Sequence, residues 1–134
     1  MIECMLGRLV RRDEADAQFL YLTEINGQRG FSIAIGVAEA QEIERVLIDD
    51  KPKRPLTHEL AYHILQALGA SLKHVDVVDL RQNTFFAQIA LQNEAGDVLS
   101  VVDARPSDAI ALALRARCPI RVAEKVLRQM SSPE

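Results

Sequence analysis

Two short segments of the chain combine residue types that can hold a phosphate group. They are residues 54–59, Arg-Pro-Leu-Thr-His-Glu, and residues 105–108, Arg-Pro-Ser-Asp. Proline restricts the arginine before it to extended backbone, so the guanidinium can lie beside the N-terminus of the helix that follows. Free N–H groups and the helix dipole favour anions at that point. Each segment is therefore a candidate anion site, with Arg54, Arg105 and Ser107 as the binding side chains.

The same segments carry groups that suit acid–base and metal chemistry. His58 lies in the first turn of its helix beside Glu59 and can accept a proton, since an imidazolium is disfavoured at a helix N-terminus. Asp103 and Asp108 are the most closely clustered carboxylates in the basic half of the chain. Such oxygens, with a third ligand such as Glu39, suit Mg²⁺ or Mn²⁺, which activate water in phosphodiesterases.

Each of these residues also has a purely structural interpretation. Arg105 can pair with a neighbouring acid, Asp103 or Asp108, and only fix the turn. An aspartate early in a helix is common because it complements the dipole. A zinc-peptidase helix is excluded, because His58 and His63 are five residues apart and lie about 140° apart around a helix. We expect His63 at the edge of the apolar face.

The first third of the chain is expected to form strands and one helix. Period-2 alternation predicts three strands, Met5–Arg11, Phe19–Thr23 and Phe31–Ile35. Asn26-Gly27 predicts a hairpin between the last two, because both residues tolerate positive φ. A 3.6-residue period then predicts a helix from Val37 to about Asp50, with Glu39, Glu42 and Glu44 largely off its apolar face.

The remainder contains helices on either side of a three-stranded meander. The basic connector 51–55 leads to a helix that is capped by Thr57 and ends at Gly69. Its apolar stripe is Leu60, Ala61, Ile64, Leu65 and Leu68. The meander strands are Val75–Leu80, Thr84–Leu91 and Val98–Asp103. A nearly all-apolar helix over 109–115, a strand Ile120–Val122 and a helix from Ala123 to about Met130 follow, and residues 131–134 are expected to fray.

These elements predict an α+β fold. The apolar helix 109–115 needs cover on more than one side, which favours a mixed, largely antiparallel sheet packed with three to four helices. No linker divides the sequence, and 134 residues with 49% hydrophobic and 26% charged side chains are typical of one globular domain. We therefore expect a single compact domain over residues 1–134.

The charge pattern restricts the kind of nucleic-acid binding that is feasible. The net charge of −3 combines −5 over residues 1–50 with +2 over residues 51–134. An anionic partner should therefore prefer the second part, through a local site and not through a broad basic surface. Aromatic residues make up only 4% of the chain, which argues against a base-stacking platform.

The cysteines and apolar runs indicate the compartment. Cys4 and Cys118 are too far apart for a Cys-x-x-Cys site, so structural zinc and a secreted disulfide scaffold are disfavoured. The longest apolar run, residues 109–114, is far shorter than the roughly 20 residues of a membrane span. The N-terminal residues lack a signal pattern. We expect a cytoplasmic protein without a membrane partner.

Four segments, in matching order and spacing, resemble one known family. They are residues 35–40 (Ile-Gly-Val-Ala-Glu-Ala), residues 54–60, residues 103–113 (Asp-Ala-Arg-Pro-Ser-Asp-Ala-Ile-Ala-Leu-Ala) and residues 119–122 (Pro-Ile-Arg-Val). In these segments the chain resembles the bifunctional nuclease family, and the resemblance covers roughly residues 5 to 130. Glu59 stands where relatives often have aspartate, which preserves the carboxylate.

The resemblance implies a function and a set of residues. It implies a compact α+β domain, a homo-oligomer with a dimer favoured, and metal-assisted cleavage of RNA and DNA with little sequence preference. The ion would be Mg²⁺ or Mn²⁺, without an organic cofactor. The catalytic candidates are His58, Glu59, Asp103 and Asp108, the metal candidates Glu39, Asp103 and Asp108, and the phosphate-binding candidates Arg54 and Arg105.

Two other functions remain open at this point. The arginine-flanked helix starts can belong to a non-catalytic module that binds a small anion or a partner's carboxylate. The acidic net charge, the few aromatic residues and the lack of a glycine-rich phosphate loop favour that alternative. The Arg-Pro turns can also be folding elements at a subunit interface, where replacing Arg105 or Asp108 would cost stability and not activity.

Overall fold

One seven-stranded sheet joins the two halves of the chain. The computed structural model describes residues 1–12 and 17–131, which form seven strands and four helices. The strands are β1 Ile2–Val10, β2 Gln18–Glu24, β3 Gly30–Ile35, β4 Ser71–Arg81, β5 Thr84–Gln92, β6 Val98–Ala104 and β7 Ile120–Val122. The helices are α1 Val37–Leu47, α2 Thr57–Ala67, α3 Pro106–Ala116 and α4 Glu124–Ser131.

The short strand β7 lies at the centre of the sheet. The strand order is β3-β2-β1-β7-β4-β5-β6. β7 pairs antiparallel with β1 and parallel with β4, and the remaining neighbours are antiparallel. The predicted α+β fold with a mixed, largely antiparallel sheet and four helices is confirmed.

Helix α3 is the centre of the core. Residues 109–113 are all buried, and the helix packs against β4 and β5 on one side and α1 and α2 on the other. This confirms that the all-apolar helix is covered by more than one layer. The sheet is curled strongly enough that Phe31 of β3 stacks on Phe85 of β5, with ring centroids 5.5 Å apart.

The connection between β2 and β3 differs from the predicted tight hairpin. The strands pair antiparallel as expected, but five residues separate them, and neither Asn26 nor Gly27 has a positive φ. The carboxylate of Glu24 closes this loop, because it accepts hydrogen bonds from the backbone N–H and the guanidinium of Arg29. The side-chain pair thus replaces the backbone turn that Asn-Gly would supply.

The tight two-residue turn is instead Gln82-Asn83, between β4 and β5. Both residues have positive φ, 50° and 63°. Asparagine tolerates this region better than glutamine does, because its shorter side chain bonds locally to the backbone. We expect Gln82→Asn to raise the free energy of unfolding by about 0.5 kcal/mol in urea denaturation. The same change at the exposed strand residue Gln88 serves as the control, and an equal gain there would contradict the explanation.

Helix α2 presents a different face from the predicted one. Thr57 is its first helical residue and not its cap, since Leu56 occupies the N-cap position and no side chain caps the helix. The stripe residues Leu60, Ile64 and Leu68 are 48%, 52% and 78% exposed. The apolar residues of α2 cover two adjacent faces, and only the face with Ala61 and Leu65 packs inward.

The bounds of β4 and α4 differ slightly from the predicted ones. β4 begins at Ser71, four residues earlier than predicted. Ser131 still belongs to α4, while the rest of the segment expected to fray lies outside the described residues.

Cys4 and Cys118 are free thiols, and burial raises the pKa of each to about 11. Over the described parts of the chain, none of the helices has the length and apolar character needed to cross a membrane.

Candidate functional site

The N-termini of α2 and α3 meet, although they are far apart in sequence. The imidazole Nε2 of His58, in the first turn of α2, lies 2.7 Å from the carboxylate Oδ1 of Asp108, in the first turn of α3. The two side chains are 22% and 29% exposed. The structure therefore unites one residue from each of the two arginine-proline segments.

Arg105 binds the same carboxylate from the other side. Its Nε donates to Asp108 Oδ2 over 2.9 Å and its Nη2 to Oδ1 over 3.2 Å. The third guanidinium nitrogen lies 3.7 Å from a carboxylate oxygen of Glu39 in α1, and the arginine side chain is 64% exposed. The interpretation that Arg105 pairs with Asp108 is confirmed, and two carboxylates share the guanidinium although its side chain is largely exposed.

Local sequence explains why this pair forms. Pro106 is the first residue of α3, and Arg105 is the extended N-cap residue with φ −70° and ψ 147°. Ser107 follows in the second helical position, so it does not cap the helix. Asp108 is the third helical residue, three positions after Arg105, where an acid complements the dipole.

Electrostatics keep Asp108 ionised. Burial alone would raise the pKa of its carboxyl, but hydrogen bonds from Arg105 and His58 outweigh burial and lower that pKa below its ordinary value. The hydrogen bond to Asp108 raises the pKa of Arg105 in turn. A charged carboxylate can only accept hydrogen bonds, so it fixes how the imidazole is oriented.

Asp108 sets the tautomer of His58. Because the carboxylate accepts, Nε2 carries the proton in the neutral ring and Nδ1 keeps its lone pair. Nδ1 has no hydrogen-bond partner within the described residues. His58 also lines a cavity of about 290 Å³, together with Glu39, Glu42 and Arg45; we name it the His58 cavity. An oriented histidine beside a cavity is the arrangement of a general base.

A second carboxylate lies deeper, behind this pair. Glu42 of α1 is only 2% exposed and bonds to Arg115 of α3 at 2.5 Å and to Arg45 at 3.1 Å. Burial would raise the pKa of Glu42, but the two arginines outweigh burial and lower it. Arg115 also lies 3.6 Å from Glu59, the carboxylate next to His58. The prediction that Glu42 lies off the buried face was wrong, since two arginines neutralise it inside.

Sequence reasoning missed Glu42, Arg45 and Arg115 as members of this network. One signal was present, because Arg115 is the only charged residue between Ala109 and Ala116 in an otherwise apolar helix. A charge at the end of a buried helix needs a partner, and an acid on a neighbouring helix is the usual one.

Two predicted site residues lie elsewhere. Asp103 is exposed and pairs in register with Gln88, whereas its neighbour Ala104 pairs with the fully buried Ala87. Because side chains alternate along a strand, Asp103 projects from the sheet face opposite the core. Arg54 is exposed and forms no hydrogen bond or ion pair with any part of the chain that the structure describes. Neither residue joins His58 and Asp108.

The donor set does not fit the expected Mg²⁺ or Mn²⁺ ion. Glu39 and Asp108 both contact Arg105, whereas Asp103 lies on the face of the sheet opposite the core. No group of three His, Cys, Asp or Glu side chains suited to a metal occurs within residues 1–12 and 17–131. Carboxylates that already hold an arginine are poor ligands for a hard cation, which needs several free oxygens.

Ser107 lies on the other side of Arg105 from the histidine. The serine is 6% exposed and lines a cavity of about 490 Å³ between β3, the β4–β5 turn and the start of α3; we name it the Ser107 cavity. Arg105 and Glu39 line this cavity too, and Glu39 lines both cavities. Glu39 is therefore shared by the two cavities.

Comparisons with known proteins agree with this arrangement of motifs. The model of the bifunctional nuclease domain matches residues 20–134. The chain is 44% identical over 110 residues to two uncharacterized proteins of Mycobacterium tuberculosis, MT1877 of strain CDC 1551 and Rv1829 of strain H37Rv. The match covers 82% of this chain but only 64% of each relative, so it spans less than two thirds of their length. The family connects the chain with nucleases, while these relatives add no activity of their own. The chain belongs to the bifunctional nuclease domain family.

Proposed function

We propose that this domain cleaves phosphodiester bonds in RNA and DNA, with His58 as the general base. The observation that carries the proposal is the 2.7 Å hydrogen bond between His58 Nε2 and Asp108 Oδ1. It joins a histidine with a free ring nitrogen to a charged carboxylate, next to the exposed guanidinium of Arg105. Base, orienting acid and phosphate ligand are thus supplied by two helix N-termini.

The chemistry follows from the roles of the three side chains. Nδ1 of His58 removes a proton from a water molecule as its oxygen attacks the phosphorus. The P–O bond on the opposite side breaks, and the departing oxygen takes a proton from solvent, which leaves a phosphomonoester and a hydroxyl end. Asp108 stabilises the imidazolium formed in this step, and Arg105 binds the phosphate oxygens as their negative charge grows.

The surroundings support cleavage with little sequence preference. Water as the nucleophile needs no 2′-hydroxyl, so the same site serves both RNA and DNA. Arg105 recognises phosphate, which is common to all sequences, and the chain offers few aromatic side chains for reading bases. The net charge of −3 further argues for a local contact with a single strand over a broad contact with a duplex.

Two other versions of the function compete with this one. In metal-assisted cleavage, Asp108 would leave Arg105 to bind Mg²⁺ or Mn²⁺, and activity would then require the ion. In a non-catalytic anion-binding module, Arg105 would hold a phosphate or carboxylate without turnover. Arg45, Arg105 and Arg115 are each paired with a carboxylate. This pairing favours the anion-binding module over a nuclease with a highly cationic cleft.

Arg105→Ala tests the role of the guanidinium. We expect cleavage of a single-stranded oligonucleotide to slow by about a hundredfold, the usual loss when one donor to a developing charge is removed. The matched control is Arg54→Ala, which changes the arginine of the other Arg-Pro segment and should cleave at the wild-type rate. Thermal midpoints of both variants, measured on the same samples, should stay close to wild type because both arginines are largely exposed.

Each unexpected outcome of the Arg105→Ala experiment has a definite meaning. Cleavage by Arg105→Ala at the wild-type rate would contradict the proposal. A large drop in the midpoint would instead make Arg105 a folding residue at its turn. Loss of phosphate binding in a protein that never cleaves would identify the anion-binding module.

We also propose that two copies associate through the edge strand β6. Its outer edge has no strand partner among the described residues, and its only charged residue is Asp103. Four of its side chains are 43% to 57% exposed apolar groups, Val98, Leu99, Val101 and Val102. Antiparallel pairing of β6 with the β6 of a second copy satisfies these free backbone groups on both chains.

The exposed face of α2 extends this surface. His58 at the start of α2 contacts Asp108 just after β6, and Gly69 after α2 lies against Glu94 in the turn before β6. The segments that flank β6 therefore approach both ends of α2, and Leu60, Ile64 and Leu68 are exposed. The four apolar residues of β6 and the three of the α2 face expose roughly 80 Å² of surface each. Their sum of about 600 Å² is near the ~800 Å² that each partner buries in a standard interface.

Leu99→Lys tests this interface. A charge placed opposite a second β6 should convert a dimer into a monomer in size-exclusion chromatography with light scattering. Leu47→Lys, which changes a similarly exposed leucine at the end of α1, should remain dimeric. A wild-type protein that is monomeric, or a Leu99→Lys variant that is dimeric, would contradict the proposed interface.

A further inference from the structure

The Ser107 cavity has the features of a binding site that the cleavage mechanism does not use. We propose that it binds one nucleoside monophosphate unit of the nucleic-acid strand, with the phosphate at Ser107 and Arg105 and the base among apolar side chains. This inference rests on the proposed function, because it names the part of the substrate that lies beside the cleavage site.

The hydroxyl of Ser107 is available to a ligand in the cavity. The residue is 94% buried, lines the cavity and makes no hydrogen bond with any of the residues 1–12 and 17–131. Its backbone N–H is one of the unpaired groups at the start of α3, where the first helical hydrogen bond runs from Ala109 to Arg105. Both the hydroxyl and this N–H can therefore donate a hydrogen bond to a ligand that enters the cavity.

The groups at this end of the cavity that can bind an anion are the guanidinium of Arg105, which Glu39 and Asp108 also contact, and the N–H groups at the start of α3. Arg105 lines the cavity and remains 64% exposed, and the α3 N-terminus adds the positive end of its dipole. The neighbouring N-terminus of α1 is already occupied, because the carboxylate of Glu39 folds over Gly36 into the space that a Cβ there would need. Only the α3 N-terminus is therefore open to a phosphate, with Glu39 limiting how far the anion reaches toward α1.

The rest of the cavity suits a nucleoside. Phe19, Ile33, Ile35 and Phe85 form its walls, and Phe85 is fixed by stacking on Phe31. A volume of about 490 Å³ falls in the range of small-ligand sites. The apolar walls offer contact to any base, and Ser32, Asn83 and Thr84 supply polar side chains to the same cavity.

The position of the cavity relates it to the catalytic pair. Glu39 lines both the Ser107 cavity and the His58 cavity, and Arg105, which contacts Glu39, lines the first of them. A nucleotide in the first cavity therefore places its phosphate on the guanidinium that also binds Asp108, the partner of His58. A base can enter this cavity only when it is unstacked, so the arrangement selects single strands over duplexes.

Binding of adenosine 3′-monophosphate, adenosine and inorganic phosphate to the wild-type protein tests the inference. Isothermal titration should show that the nucleotide binds at least tenfold more tightly than adenosine or phosphate alone, since only the nucleotide fills both parts of the cavity. Ser107→Ala, a small change that leaves the helix intact, should weaken nucleotide binding about tenfold.

Ala34→Trp blocks the cavity with little risk to the fold. Ala34 lines the cavity from β3 and is exposed, so a large side chain there enters the cavity without displacing core residues. It should abolish nucleotide binding. Ala95→Trp, the same change at an exposed residue of the β5–β6 turn, should bind like wild type.

The outcomes separate this inference from the proposed function. Nucleotide binding no tighter than phosphate binding, or undiminished binding by Ala34→Trp, would overturn the inference. A protein that binds the nucleotide with the expected variant pattern but cleaves no oligonucleotide supports the cavity and removes the nuclease proposal. Cleavage without nucleotide binding supports the nuclease and removes the cavity.

Discussion

Replacing His58 with alanine should lower the rate of phosphodiester cleavage about a thousandfold, within the range that a general base supplies. Within residues 1–12 and 17–131, the titratable groups that contact the Asp108 carboxylate are His58 and Arg105, and the guanidinium of Arg105 cannot accept a proton. The effect should fall on kcat more than on KM, because the phosphate contact of Arg105 is retained. Initial rates on a fluorogenic single-stranded oligonucleotide measure it.

The same helix supplies a matched control for this variant. His63 lies five residues after His58, is exposed and is not part of the network. His63→Ala should therefore cleave at the wild-type rate. Equal rates for wild type and His58→Ala would show that the activity comes from elsewhere in the protein or from a contaminant.

Glu42→Ala should have the largest effect on stability, a loss of about 3–5 kcal/mol in the free energy of unfolding. The carboxylate is 98% buried and neutralises two arginines whose side chains are only 16% and 26% exposed. Without Glu42, both guanidinium groups stay in the interior without their shared partner. Urea denaturation of wild type and variant measures the loss, provided that the m value, the slope of the unfolding free energy against urea concentration, is the same for both.

A neighbouring glutamate controls for the loss of a charge from the same helix. Glu44 of α1 pairs with Arg11 at the surface and is 46% exposed, so Glu44→Ala should cost less than about 1 kcal/mol. A loss for Glu42→Ala that is no larger than this would mean that the buried network contributes little to folding.

The ionisation of Glu42 also predicts how stability changes with pH. Its pKa in the folded protein lies below the ordinary value of 4.5, so the unfolded chain binds a proton first as the pH falls. The stabilisation from Glu42 is therefore complete at neutral pH and is lost as the pH drops below 4.5 toward the native pKa. Comparing wild type with Glu42→Ala between pH 7 and pH 3 should show the difference between them shrinking on acidification.

The fold was largely predictable because local patterns and tertiary packing agree in most elements. Alternation located the strands of both halves, and the all-apolar segment around Ala109–Ala113 identified the central helix. The sequence did not show how the two halves join, since β7 has only three residues and its place between β1 and β4 depends on long-range pairing. The exposure of Leu60, Ile64 and Leu68 was equally unpredictable, because helical periodicity alone does not say which apolar face of α2 packs against α3.

The site was predictable only in part, and single-residue differences explain why. The two arginine-proline segments were identified, but nothing local shows that His58 and Asp108, 50 residues apart, come into contact. Asp103 and Asp108 are close in sequence, yet Asp103 belongs to the outer face of β6, where a shift of one residue would turn it inward. Glu42 is buried although the helical pattern placed it off the apolar face, because Arg45 and Arg115 compensate its charge.

The most direct test of the account is the cleavage rate of the wild-type protein in excess chelator, with Asp108→Asn purified and assayed beside it. If Asp108 orients His58, the wild-type rate is unchanged by the chelator and the isosteric variant is slower by about a thousandfold or more, since an amide no longer fixes the tautomer. If wild-type cleavage vanishes with the chelator and returns with Mn²⁺, or if Asp108→Asn cleaves as fast as wild type, the His58–Asp108 mechanism is wrong.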